Sequence, residues 1–557
     1  MRALKFNFSV LLVALWAAIS LAQPFQAPLD TTGKEFVFAF QSNFQNKRPD
    51  RLSLLIGANE PGPTRVQIEA PRFNWQQTLQ LTHKQVKQVD VNPDVAARGA
   101  GPVNGTLIVR ATKDITVHGL NSLTMTNDGF LVIPTHGLGK EYFVASYDPV
   151  PIEMSQFLIS GVQPDTTVTI TTAARLQHNS QWYNKGQTLT VNVGKYESIQ
   201  FQSQEDLTGT KITSTKPVSV MSGASCTLVP TQVYRCDHLV EHLPPFNTWG
   251  KRFTLLPFAN RSGGFIFRII AGRPSTTVHI MGNNVQLQFP GSFREFNQPA
   301  SLKTTLQSDK PIMVVQYAKG MQKDNNGDPF MTVVPPVEQY IQKEVTFGSF
   351  NQSGSDQLVM FAGVSMTSEA LFTMTINGKA EFDPKAGIPG TGISSTFTAD
   401  KTVSLENIQN VLTNFEKDIR YMAIVYGFAS GTSFGYPAAY ALKQITCTRP
   451  GRTGVQEEYE CPETHRRPRP TGPPVPEGPG TGPGGQGNME ACSSKGVVVL
   501  AAILPALIVF IIMVIILVFV LYRSPSSPEL EKFKMFFRVN PRERTLSRCS
   551  FVRNGSL

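Results

Sequence analysis

The chain has 557 residues, a formal net charge of +10 and six cysteines, with 41% hydrophobic and 17% charged residues. That is room for several domains, and it is too apolar for a disordered chain. Six cysteines over this length exclude a disulfide-stapled scaffold, so hydrophobic cores must carry the fold.

Arg2 and Lys5 precede the apolar run Val10–Trp16, which ends in Ser20-Leu21-Ala22. This is the pattern of a secretory signal peptide over residues 1–22, with the mature chain beginning near Gln23. Residues 23–445 then form an ectodomain. The basic balance raises nucleic acid as a partner, but a secreted segment does not meet it, so no nucleic acid is expected.

From residue 33 onward two landmarks recur. Gly33-Lys-Glu-Phe36, Gly139-Lys-Glu-Tyr142, Gly250-Lys-Arg-Phe253 and the degenerate Gln342-Lys-Glu-Val345 open successive stretches. Thr112-Lys-Asp-Ile, Thr215-Lys-Pro-Val, Asp309-Lys-Pro-Ile and Glu416-Lys-Asp-Ile follow, 103, 94 and 107 residues apart, and read as variants of one hairpin. Two landmarks with one period predict four internal repeats of about 100 residues, roughly 33–130, 139–245, 250–335 and 342–445. Inside a repeat, apolar and polar residues alternate in short runs rich in Thr, Val, Ile and Phe, separated by Gly, Pro, Asn and Asp. The fold class is all-β, each unit a β-sandwich of two sheets; a closed, propeller-like array is the alternative.

Asn104, Asn260 and Asn351 each open an Asn-x-Ser/Thr sequon, which predicts glycosylated surface loops. Asn554-Gly-Ser has the same pattern on the cytosolic side. Cys226 and Cys236 enclose nine residues, Cys447 and Cys461 thirteen, and each pair is read as a local disulfide.

"CDHLVEH", Cys236 to His242, contains the H-x-x-E-H pattern of one class of zinc peptidases, with His238 and His242 as ligands and Glu241 as base. That chemistry needs a helix. Pro244 and Pro245 end any helix at once, and 250–330 read as strands rather than as a helix bringing a third ligand. The segment is read instead as a connecting turn with Leu239, Val240 and Leu243 packed inward, and zinc ectopeptidase activity remains a remote alternative. Asp324-Asn-Asn-Gly-Asp328 lacks the spacing of a calcium loop and reads as a polar turn. No cofactor and no metal are expected, and no catalytic set is legible.

Residues 446–495 begin with the second cysteine pair and become Pro/Gly-rich, a composition that cannot bury a core and serves as a disordered stalk. Val497–Leu521 is 25 residues without a charge, long enough for one transmembrane helix. The tail, 522–557, carries eight basic residues against three glutamates, which places it in the cytosol. Its Phe533, Met535, Phe536 and Phe537 interleave with Lys532, Lys534 and Arg538, as suits a segment lying on anionic lipid. The expected topology is single-pass type I at the plasma membrane. Cys492, just outside the span, is available to join two chains as a disulfide-linked dimer or to stay free.

The stretch Ser222–Phe253 resembles the hallmark of the IgG Fc-binding protein N-terminal domain family. That pattern is Ser-Gly-x-x-Cys, then Cys-Asp-His-Leu-x-Glu-x-Leu-Pro-Pro, then Trp-Gly-Lys. Here it is carried by Cys236, Asp237, His238, Leu239, Glu241, Pro244, Pro245, Trp249, Gly250 and Lys251. The likeness runs from Gly33-Lys-Glu-Phe to Ser433-Phe-Gly-Tyr-Pro437. At the position of His242 the family commonly has Gln, which removes one zinc ligand. The resemblance implies extracellular binding or adhesion. The family's large secreted member continues into von Willebrand factor type D repeats, which this chain lacks, so a tethered protein recognising an extracellular protein or glycan ligand is expected. A surface-coat component without a defined ligand is the alternative.

Overall fold

The computed structural model describes residues 29–350 (apart from 232, 234 and 322–325), then 358–366, 374–379, 399–404, 409–414, 420–429, 431–450 and 456–460. These residues form strands joined by turns and short 3-10 segments.

Three long strands, Leu107–Leu123, Lys211–Thr227 and Thr304–Ala318, each organise one curled antiparallel sheet. Around the first, the order is Trp75–Leu81, Thr64–Ala70, Leu107–Leu123, Arg51–Ala58, Val86–Val91; Gly33–Phe38 and Thr126–Leu131 also pair with the long strand. The same order recurs around the other two. Each half of a long strand lies between different neighbours. Residues near Val109 pair with Gly33–Phe38 and Thr64–Ala70, while His118 and its neighbours pair with Arg51–Ala58 and Thr126–Leu131.

The bend between the halves is where Lys113-Asp114, Lys216-Pro217 and Lys310-Pro311 lie, so these three landmarks are not hairpins, while the fourth, at Glu416, lies outside the described residues. They mark the point where one continuous strand passes between layers, a place where proline's missing N–H costs no ladder bond. Their side chains fasten the bend. Thr112 Oγ1, Thr215 Oγ1 and Asp309 Oδ1 accept from the amides of Arg65, Thr167 and Thr277 at 3.0, 3.0 and 2.8 Å. The ammonium groups of Lys113, Lys216 and Lys310 donate to the carbonyls of Pro61, Pro164 and Pro274 in the turn that precedes each inner strand. The opening glycine has an equally direct cause. A Cβ at Gly33, Gly139 or Gly250 would lie 2.5, 2.4 or 2.4 Å from the Cβ of Pro134, Pro245 or Pro336, each at the head of a 3-10 turn.

A closing strand follows each long strand: Thr126–Leu131, Asp237–His242 and Met331–Val333, with Thr432–Pro437 after Tyr421–Ala429 in the last segment. One backbone bond recurs just beyond each: Val132 N to Val117 O at 2.8 Å, Leu243 to Val220 at 2.9 Å, Val334 to Val314 at 2.9 Å and Ala438 to Ala423 at 2.8 Å.

The sheets share their cores. Leu158, Met221 and Val240 of the second sheet pack with Phe36, Phe38 and Phe130 of the first, and Leu55 and Leu120 of the first pack with Phe347 and Tyr436 of the last segment. Phe361 and Tyr426 join the third sheet's Phe253 and Phe267. Polar joints sit beside these cores. Between the second and third sheets the buried Arg268 donates to Ser146 O at 2.9 Å, pairs with Asp206 and Glu295 at 2.7 and 2.8 Å, and lies 4.0 Å over the Tyr147 ring. The chain also closes: Thr31 N donates to Tyr440 O at 2.9 Å and Leu442 N to Leu29 O at 2.7 Å. Beyond this, Thr446–Pro450 pairs with Gln456–Glu460, within the segment read as the start of the stalk. Residues 1–28 and everything after 460 lie outside the described residues, and with them Cys461, Cys492 and the segments read as signal peptide, transmembrane helix and tail. No helix among the described residues is long and apolar enough to cross a membrane.

Candidate functional site

Asp237–His242 is a strand, not a connecting turn, and all six of its residues are buried. A strand puts His238 and His242 on one face and Glu241 on the other, so no third-ligand geometry of the helical kind arises. Both imidazoles are engaged. His238 Nδ1 lies 2.8 Å from Ala224 O and its Nε2 3.3 Å from Asn121 Nδ2. His242 Nδ1 accepts the Ile133 amide at 3.0 Å, which leaves Nε2–H to donate to Ser219 Oγ at 3.1 Å. That bonding assigns His242 a neutral tautomer. Burial lowers the His238 pKa to about 4 and the His242 pKa to about 3. Glu241 Oε1 accepts the Val333 amide at 2.9 Å, and burial raises its pKa well above the carboxylate range. Among the described residues no group of three or more His, Cys, Asp or Glu is arranged to hold a metal.

The motif's neighbours are structural too. Trp249 is buried, donates Nε1–H to Pro244 O at 3.1 Å and packs on Phe143 and Phe246. Lys251 O accepts Ser308 Oγ at 3.3 Å. The Leu239 carbonyl lies where a Cβ on Gly223 would stand. Asp237 Oδ1 accepts the amides of Asn127 and His238 at 2.6 and 2.7 Å, and burial, then the charges of Asp328 and Asp128, raise its pKa.

The residue that unites the four closing strands is Asp128, which Thr-Asn-Asp-Gly disguises as a turn. Its Oδ1 accepts Gly129 N at 2.8 Å and Gly435 N at 3.2 Å, and its Oδ2 accepts Val240 N and Met331 N, both at 3.1 Å. One donor comes from each closing strand. Burial raises the Asp128 pKa, and the four amides work against that rise.

At one end of these strands the connecting loops meet. Cys226 and Cys236 are joined in a disulfide with Cα atoms 5.3 Å apart. Gly320 N donates to Val229 O at 2.9 Å, and the Cβ position of Gly431 lies 3.5 Å from Arg235 Nη1 and 3.6 Å from Met125 Cε. Met125, with φ +65°, is 51% exposed. Beside the disulfide loop, which Val150 N reaches through Cys226 O at 3.3 Å, lies a cleft of about 630 Å³ lined by Asp148, Val150, Pro151, Ile152, Leu228 and Thr231. Ile152 follows Pro151 in a turn closed by Glu153 N to Val150 O at 3.0 Å. Its φ is +71° and it is 69% exposed. Glycine is the residue this turn position favours, and a β-branched side chain there is strained. Neither the backbone nor the core gains from isoleucine here. Asn104 and Asn260 are exposed on other loops, while Asn351 lies outside the described residues.

The fold and its centre define an all-β protein in which buried carboxylates bond the backbone amides of the closing strands. The family model described as IgGFc binding protein matches residues 128–427, more than half of the chain, and the chain belongs to that family. It is 25% identical over 457 residues to the human IgGFc-binding protein, covering 79% of this chain and 8% of that relative, so it spans a small part of the relative's length. Among solved structures, a Bacteroides uniformis β-glucuronidase matches at 13% identity over 36% of this chain and 26% of its own, with a TM-score of 0.10. Salmonella α-2-macroglobulin matches at 9% identity over 77% and 34%, with a TM-score of 0.14. Neither likeness carries an argument about fold or function.

Proposed function

We propose that this chain is a single-pass type I protein of the cell surface that binds an extracellular protein ligand through the loop end of its closing strands. Family membership supports extracellular ligand binding, and the observation that carries the site is Ile152. It is held exposed in a left-handed turn at the rim of the cleft, beside a loop fixed by a disulfide. Strained backbone of this kind costs about 1–3 kcal/mol and concentrates at ligand-contact positions. Met125, exposed across the loop cluster with its own positive φ, is a soft apolar contact of the sort interfaces use.

The test is a binding screen with the full-length chain displayed on cells, against extracellular proteins and glycans, with the Fc fragment of IgG among them. Saturable binding that falls at least tenfold in Ile152→Gly and in Met125→Ser supports the reading. Saturable binding indifferent to both moves the site elsewhere. Consistent absence of binding favours the surface-coat alternative.

A further inference from the structure

The second sheet carries an element that its two counterparts lack. In the first sheet Thr64–Ala70 reaches Trp75–Leu81 through a short turn, and in the third Thr276–Ile280 reaches Asn283–Leu287 through two residues. Between Thr166–Thr171 and Thr188–Val193 the chain instead builds an extra two-stranded hairpin, Leu176–His178 with Gln181–Tyr183. Its two-residue loop, Asn179-Ser180, has φ of +48° and +65°, the mirror-image turn that tight hairpins favour.

The hairpin is anchored at its base. Leu176 is buried, Ser203 Oγ donates to Arg175 O at 2.6 Å, and the His178 ring lies 5.3 Å from Phe201. The nearby carboxylate of Glu205 accepts the Arg175 amide at 3.0 Å. On this base Trp182 stands 49% exposed, with the Arg175 guanidinium 4.0 Å from its ring centre. An indole in water gains nothing for the fold, whereas exposed, rigidly held tryptophans are the residues that dominate binding energy.

Within the segment itself the charge is one-sided, the nearby acid being Glu205, whose carboxylate accepts the Arg175 amide. From Thr166 to Tyr196 the sequence contains no Asp or Glu, while Arg175, Lys185 and Lys195 are all exposed. The adjoining strands turn a neutral polar ladder outward, in which Thr167 faces Asn192, Thr169 faces Thr190 and Thr171 faces Thr188. The first sheet's equivalent strand has Glu69 at such a position.

We infer that the Leu176–Tyr183 hairpin and the Thr/Asn ladder beside it bind an acidic glycan. The free face of Trp182 takes the C–H face of a sugar ring, whose hydrogens suit the negative face of the indole. Arg175 and Lys185 meet the sugar's carboxylate or sulfate groups, and the side-chain hydroxyls and amides meet its hydroxyls. A flat array of neutral hydrogen-bonding groups suits a polyhydroxylated ligand better than an acidic peptide. The base of this hairpin adjoins the Ile152 cleft, since Gln204 lines that cleft and its neighbours Ser203 and Glu205 hold Arg175, but the contact residues differ, so Trp182 and Ile152 variants test the two readings separately.

The experiment is surface binding of the full-length chain in detergent to immobilised heparin, hyaluronan, neutral dextran and poly-glutamate. Retention on heparin or hyaluronan at least tenfold above dextran, reduced at least tenfold by Trp182→Ala and by Arg175→Gln and retained in part by Trp182→Phe, supports the inference. Heparin against hyaluronan distinguishes sulfate from carboxylate as the anion. Thermal unfolding of each variant within about 2 °C of the parent separates lost binding from lost fold. Equal retention on dextran, indifference of the acidic-glycan signal to Trp182→Ala, or equally tight, Trp182-dependent capture by poly-glutamate would each overturn it.

Discussion

Replacing Asp128 by asparagine tests whether one carboxylate really fastens four strands. The substitution is nearly isosteric and exchanges one acceptor oxygen for an amide that donates. Each carboxylate oxygen serves two backbone amides, so whichever way the new side chain turns, two N–H groups lose an acceptor and face a donor. A buried backbone donor left without an acceptor costs about 1–3 kcal/mol, so for two the loss is about 2–6 kcal/mol. For a folded part of this size, with an unfolding entropy of about 2 cal/mol/K per residue, that is a fall in Tm of about 2–7 °C. Differential scanning fluorimetry of the full-length chain reads it directly. Asp50→Asn is the control, since the partly exposed Asp50 serves only Thr124, through its amide at 2.7 Å and its hydroxyl at 2.6 Å. A shift in Asp128→Asn no larger than in Asp50→Asn would refute the reasoning. Because the donors come from all four closing strands, the variant is also expected to lower one common transition rather than to split off a single sheet.

His242→Gln keeps both of the side chain's bonds, the amide oxygen accepting from Ile133 and the nitrogen donating to Ser219, so chemical denaturation at pH 7.5 should place it within about 1 kcal/mol of the parent. The folded-state pKa of His242 is depressed to about 3 from 6.5, so its neutral form contributes stability that is fully present above pH 6.5 and is lost as pH falls toward 3. Relative to the parent, the Gln variant should therefore gain up to about 1.4 kcal/mol per pH unit below 6.5, and an unchanged difference between pH 7.5 and 5 would contradict this. Ile152→Gly should relieve the left-handed strain and raise stability by about 0.5–1 kcal/mol after the glycine's extra unfolded-state entropy, while it weakens ligand binding. Cys226→Ser with Cys236→Ser opens the loop and should cost about 2–3 kcal/mol in denaturation experiments, with the larger fractional effect on binding at the Ile152 cleft. Glu241→Gln retains an acceptor for Val333 N and should leave stability within about 1 kcal/mol, and EDTA should leave the Tm of the parent unchanged.

Much of the strand content was legible because most strands bury one face and alternate, and because bends and close approaches leave residue signatures. A lysine beside a strand bend and a glycine under a proline are imposed by backbone geometry, so they repeat even where the side chains around them change. The closing strands hide for the opposite reason. Asp237–His242 is buried on both faces, so polar and apolar residues need not alternate, and polar side chains survive there because each has a buried partner. The prolines after it then read as the end of a turn. Ile152 left no trace at all, since Val-Pro-Ile-Glu contains none of the residues that announce a positive φ. Trp182 was visible as an aromatic next to Asn179-Ser180, but its exposure depends on an insertion that only comparison of the three sheets exposes.

The clasp between Thr31 and Tyr440 joins the segment just before Gly33–Phe38 to the segment just after Thr432–Pro437. A chain opened within Pro134–Leu138, with its old ends joined by a short linker, would keep the shared cores and the Asp128 junction intact. Peeling from the side of residue 445 would have to break the bonds of Ile445 to Asn247 and of Lys443 to Gln339 before it reached the clasp, and load passing them would be spread over neighbouring sheets through the shared cores.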